Sequence, residues 1–182
     1  MLPGELLRLE DTLWVLVAPT GEPIYDFPFD RLFASRRTAP PPGTRVVSRI
    51  GAVQDYAALH GELSALGLGL VHDPEEHRLA VELPSWYPRI ADLTPRSRWF
   101  DSPPDAAEVE REFGWPVFLK GHRQTSSHRR QTSIVEGPDA FRAAMAEFAT
   151  DPILGWQRLV CREFVRLRPV EDDIALRAVN VP

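Results

Sequence analysis

Trp115-Pro-Val-Phe-Leu-Lys120, a basic polar run, Thr132-Ser-Ile-Val-Glu136, and later Leu159-Val-Cys-Arg-Glu-Phe-Val165 form the stretch whose reading decides the fold. Pro116 to Leu119 is a short apolar run that reads as a buried strand and ends in a lysine. Thr132 to Val135 reads as a second strand. Pro138-Asp139 opens a helix over Ala140 to Ala149, with Phe141, Met145 and Phe148 on one face. Leu159 to Val165 is a third strand, closing in Arg162-Glu163-Phe164-Val165.

The chemistry of this stretch is that of an anion site. A lysine at a strand end reaches phosphate oxygens as a point charge. The run after it, Gly121-His-Arg-Gln-Thr-Ser-Ser-His-Arg-Arg130, holds no acid and offers hydroxyls, backbone N–H groups and cationic heads. A loop of that length between adjacent strands is uncommon without a purpose. The bland alternative is a solvated basic loop beside a snorkelling lysine. A strand that ends in an acid followed by apolar residues can lay its backbone against a purine, the acid accepting from the exocyclic amine. The bland alternative is an edge-strand ion pair between Glu163 and Arg162 or Arg166. The two features in this order, separated by one helix, point to a nucleotide site.

Working upstream, Leu13-Trp-Val-Leu-Val17 and Thr44-Arg-Val-Val-Ser-Arg-Ile50 read as strands. Val53, Tyr56, Leu59 or His60, Leu63 and Leu66 follow helical spacing, Gly67 supplies the stop, and Leu68 to Val71 is a third strand. Strand, helix and strand in so few residues predict a βαβ unit with a parallel pair. Leu83 to Arg98, broken by Pro84, Pro88 and Pro95, reads as a seam between two units. Pro103-Pro-Asp105 then starts an amphipathic helix to Phe113, which Gly114 ends. The expected division is 1–98 and 99–182.

Composition narrows the function classes. The chain has 182 residues, 43% of them apolar and 26% charged, ordinary for a globular protein that buries a core. One cysteine, Cys161, excludes a disulfide framework and predicts a cytoplasmic home. No basic-then-apolar leader opens the sequence, and no apolar run approaches the roughly 20 residues that span a bilayer. A net charge of −5 argues against a dedicated nucleic-acid binder. His72, Asp73, Glu76 and His77 lack the spacing of a zinc pair, and Asp73 reads instead as a turn or N-cap residue before Pro74. Cys161, inside a strand, reads as a buried structural thiol. Trp86, Tyr87, Trp99 and Phe100 read as seam packing.

Phe113 to Arg168 resembles the first lobe of ATP-grasp ligases, most closely a small bacterial and phage clade named for two arginines and a lysine. Ser48-Arg49, the helix to Leu66, Gly67-Leu-Gly-Leu-Val-His72, Trp86-Tyr87 and Leu93-Thr-Pro95 extend the likeness upstream. It implies a small parallel-sheet pre-ATP-grasp α/β domain followed by an α+β ATP-grasp N-terminal lobe. It further implies that Lys120 touches the α- and β-phosphates of ATP, and that the loop with Arg123, Ser126 and Ser127 covers the triphosphate. Glu163, Phe164 and Val165 would form the adenine hinge, with Arg162 beside them among the nucleotide-binding residues, and Glu171 would reach the ribose.

The resemblance implies an ATP- and Mg²⁺-dependent ligase that activates a carboxylate as an acylphosphate and passes it to an amine or thiol. The second lobe of such enzymes supplies the γ-phosphate cation and the Mg²⁺ ligands. After Val170 only Glu171 to Pro182 remain, so that lobe is expected to be missing from this chain. Glu171, Asp172, Asp173 and Asn180 read as a polar tail. A fragment, a second-lobe or homo-oligomeric partner, or lost catalysis would each account for this. The alternative function is a non-catalytic ATP-grasp remnant whose Arg123, Arg129 and Arg130 bind a phosphorylated or polyanionic partner.

Overall fold

The computed structural model describes residues 5–8, 13–17, 40–49, 51–123 and 133–166. The chain divides into two compact units. Unit 1 is Met1–Arg89 together with Gly121–His128, and unit 2 is Ile90–Lys120 together with Arg129–Pro182. The first boundary falls within the proline-punctuated stretch from Leu83 to Arg98. The chain also returns to unit 1 for the residues directly after Lys120.

Unit 1 carries a four-stranded sheet in the order β1-β2-β3-β4: β1 (Glu5–Arg8), β2 (Leu13–Val17), β3 (Arg45–Arg49) and β4 (Gly69–Leu70). β2, β3 and β4 run parallel, with Val15 opposite Val47 and Arg45 opposite Gly69. β1 pairs antiparallel with β2 and is an addition to the strands expected from sequence. Its Glu5-Leu-Leu-Arg8 is too short to carry a periodic signal. Between β3 and β4 lies helix α1 (Tyr56–Ala65), the crossover that a parallel pair requires. Asp55 caps it by accepting from the Ala58 N–H at 2.9 Å. Tyr56, Leu59 and Leu63 are buried against Trp14, Leu16, Val46 and Leu68. At its end Gly67 has φ 75°, a left-handed conformation that glycine adopts without strain.

Helix α2 (Pro74–Val81) follows. Asp73 accepts from the N–H groups of Glu75 and Glu76, and Glu76 returns a carboxylate oxygen to the Asp73 N–H, a complete capping box with proline in the first turn. The N-cap reading of Asp73 therefore holds. A short helix α3 (Leu83–Trp86) and two 3₁₀ turns, Tyr87–Arg89 and Ala91–Leu93, occupy the stretch read as a seam.

Unit 2 carries the sheet β5-β8-β6-β7: β5 (Ser97–Phe100), β6 (Val117–Gly121), β7 (Ile134–Val135) and β8 (Leu159–Glu163). β5 pairs antiparallel with β8 and β6 antiparallel with β7. Helices α4 (Ala106–Phe113) and α5 (Pro138–Thr150) complete the unit. Phe100, Val109, Val117, Leu119, Val135, Phe141, Leu159 and Cys161 share its core, with Met145 and Phe148 packed against it, as the one-face pattern of α5 requires. The architecture is thus a parallel-sheet α/β unit and an α+β unit with paired antiparallel strands. No helix among the described residues is long and apolar enough to cross a membrane.

Candidate functional site

Lys120 is the fourth residue of β6, and Arg162 is the fourth of β8, the strand hydrogen-bonded beside it. Alternation along each strand puts Leu119 and Cys161 into the core, so their neighbours Lys120 and Arg162 leave it and are only partly buried. Burial first, and then the positive charge of Arg162, hold the Lys120 ammonium below its ordinary value. Among the described residues no carboxylate pairs with Lys120. Arg162 donates from Nη2 to the Thr94 hydroxyl in a short contact. Two cations therefore meet on adjacent strands, and the like charge of Arg162 adds to burial in disfavouring the Lys120 ammonium.

The end of β8 is built as a turn-off. The Glu163 N–H donates to the Arg96 carbonyl at 2.8 Å, and the Glu163 side chain is exposed. Beyond it the chain leaves the sheet, with Phe164 half-buried and Val165 39% exposed. Exposed apolar surface beside an acid is the surface a flat heterocycle needs. Thr94, part of the Leu93-Thr-Pro95 likeness, and Arg96, which was not singled out from sequence, support this edge. The signal of Arg96 was hidden because β5 lies next to Pro95, inside a stretch that reads as a connection.

Arg123 follows β6 by two residues. It lies in unit 1, where it ion-pairs with Glu82 at 2.8 Å. Its Nη1 donates to the carbonyls of Val53 and Gln54. Ser126, Ser127 and Glu171, with Arg129 and Arg130, lie outside the described residues. Cys161 is fully buried and its thiol is pushed up to about 12 by that burial, which agrees with a structural and not a nucleophilic role.

Unit 1 has its own cleft, about 500 Å³, lined by Tyr56, His77, Arg78, Glu82 and Arg123 among others. The His77 ring stacks on Tyr56 at 3.6 Å between centroids and nearly coplanar, with Nε2 buried and without a hydrogen-bond partner. Burial, then the charges of Arg123 and His72, lower its pKa to about 4 from 6.5. The unfolded chain therefore binds the proton more tightly between these values, and stability rises with pH across the window and falls on acidification. Urea denaturation between pH 4 and 6.5 is expected to show a positive slope of stability with pH that shrinks in His77→Phe. An unchanged slope in that variant would assign the titration to another group. Among the described residues no group of three or more His, Cys, Asp or Glu side chains could hold a metal.

No protein-family model matches the sequence, and no curated protein matches it. Solved structures do. D-alanyl-alanine synthetase A from Vibrio cholerae superposes with a TM-score of 0.51 at 16% identity, over 75% of this chain and 42% of that one. A RimK domain ATP-grasp protein from Sphaerobacter thermophilus gives 0.48 at 19% identity, over 68% and 46%. The ATP-grasp ligase PsnB, complexed with a minimal precursor, Mg and ADP, gives 0.36 at 13%, over 70% and 47%. The chain spans less than half of each. The chain shares a fold with the part of D-alanyl-alanine synthetase A that it covers.

Proposed function

We propose that this chain forms the nucleotide-binding part of an ATP-grasp-type, ATP-dependent carboxylate–amine or carboxylate–thiol ligase. The observation that carries the reading is the pair Lys120 and Arg162, partly buried on neighbouring strands with no described carboxylate beside the lysine. A polyphosphate supplies the missing negative charge, and its oxygens accept from both cations. Glu163, Phe164 and Val165, at the turn-off of β8, take the adenine, the Glu163 carboxylate accepting from its amine. In a ligase of this kind a substrate carboxylate oxygen attacks the γ-phosphorus. The bond from the γ-phosphorus to the β,γ-bridging oxygen breaks and ADP leaves. An amine or thiol then displaces phosphate from the acylphosphate. The part assigned to this chain is positioning and charge: Lys120 holds the α- and β-phosphates while that bond breaks. The described residues hold no group of three or more His, Cys, Asp or Glu side chains that could hold a metal, and no step here is routed through Mg²⁺.

Calorimetric titration of the folded chain with ATP, GTP and inorganic polyphosphate tests the reading. ATP is expected to bind at least about tenfold more tightly than GTP, because the adenine amine donates where guanine presents a carbonyl. Equal binding of all three would turn the site into a general polyanion site, the non-catalytic alternative, and no binding would remove it.

A further inference from the structure

Four guanidinium contacts of Arg123 fall within unit 1. Nε and Nη2 both donate to Glu82 Oε1, at 3.2 and 2.8 Å, and Nη1 donates to the Gln54 carbonyl at 2.9 Å and to the Val53 carbonyl in a shorter contact. The group has only five N–H donors in a fixed fork, so its capacity is nearly spent on protein acceptors. The backbone joins in. Residues 82 and 123 form an antiparallel β-bridge, and the Leu83 N–H donates to the His122 carbonyl at 2.9 Å. Both side chains are largely buried, at 16% and 19% exposure, where a lost partner leaves a costly charge. These contacts converge on His122 and Arg123, the residues that follow β6 and its lysine.

We propose that Arg123 and Glu82 form an anchor that positions the chain leaving Lys120, so that Arg123 tunes the triphosphate end of the nucleotide site without touching phosphate. This rests on the nucleotide reading above. It assigns Arg123 a role opposite to the one its place in a basic loop implies, and it gives Glu82 a role that no motif marks. The anchor links positions 41 apart in sequence and acts through Glu82 as much as through Arg123.

The two roles separate in a double-variant cycle read by calorimetry with ATP and adenosine. An anchor predicts that Glu82→Ala and Arg123→Ala each weaken ATP binding about tenfold and that the double variant is no weaker than Arg123→Ala alone, since the Glu82–Arg123 interaction can be lost only once. Adenosine, which lacks the triphosphate, is expected to bind all variants alike, a split that a general loss of structure would not produce. Should an alanine variant not fold, Glu82→Gln keeps the shape, removes the charge, and is expected to weaken ATP selectively.

Two results overturn the proposal. One is Glu82→Ala or Glu82→Gln with unchanged or tighter ATP binding beside a weakened Arg123→Ala, which would make Arg123 a direct phosphate ligand. The other is additive losses in the double variant. Failure of the nucleotide reading is seen earlier and differently, as absence of ATP binding by the unsubstituted chain, and the anchor proposal then falls with it.

Discussion

Lys120→Met is expected to weaken ATP binding about 100-fold while leaving the fold at least as stable as before. The size follows from hydrogen bonds to charged groups, worth about 1.5–3 kcal/mol each, with about 1.4 kcal/mol per factor of ten. The stability half follows from the environment. The ammonium is partly buried beside the Arg162 guanidinium, with no described carboxylate paired to it, so its charge opposes folding in the absence of an anion. Methionine keeps the apolar stem and removes the charge. The sign with pH is fixed by the same facts. The folded chain holds this proton less tightly than the unfolded chain, so stability rises as pH climbs from the depressed value to the ordinary 10.5. ATP restores the proton affinity, and binding is expected to take up protons in that alkaline window. Calorimetry in buffers of different ionisation enthalpy measures the uptake. A Lys120→Met chain that binds ATP normally would move the nucleotide elsewhere.

How much of this was legible in the sequence follows from the range of the interactions involved. The strands of Trp14, Val46, Val117 and Val160 stood out because each is a short apolar run, and α1 and α5 because Tyr56, Leu59 and Leu63, or Phe141 and Met145, recur at helical spacing. The cap at Asp73 was legible because its partner Glu76 is three residues away. The strand Ser97–Phe100 was not, since its pairing with β8 is set some sixty residues downstream, Ser97 lying opposite Arg162. Of the candidate site, Lys120 and Glu163 were marked by their positions at strand ends. That Lys120 and Arg162 would be neighbours required the sheet order, which local pattern does not contain. Arg123 shows the limit most clearly. A basic residue among hydroxyls reads as a phosphate ligand, and its ion pair with Glu82, 41 positions away, is outside the reach of local pattern.

Phe141→Ala is expected to destabilise unit 2 by about 3–5 kcal/mol, the range for emptying an aromatic site in a packed core. Phe141 is 2% exposed and its ring lies 6.0 Å, tilted, from that of Trp115. It belongs to the same cluster as Leu119 and Cys161, the residues that precede Lys120 and Arg162 on their strands. Marginal stability of about 5–15 kcal/mol makes such a loss a large share of the total. Urea denaturation is the measurement: the midpoint should fall while the slope, set by surface exposed, stays the same. Nucleotide binding then supplies the link to function. In Phe141→Ala, ATP binding and unit 2 structure are expected to be lost at the same urea concentration, because the core beneath β6 and β8 holds the two cations in place. In Lys120→Met binding is weakened with the structure intact. A Phe141→Ala chain destabilised by less than about 1 kcal/mol would mean that α5 is not packed as described, since only a site able to collapse escapes the cavity term.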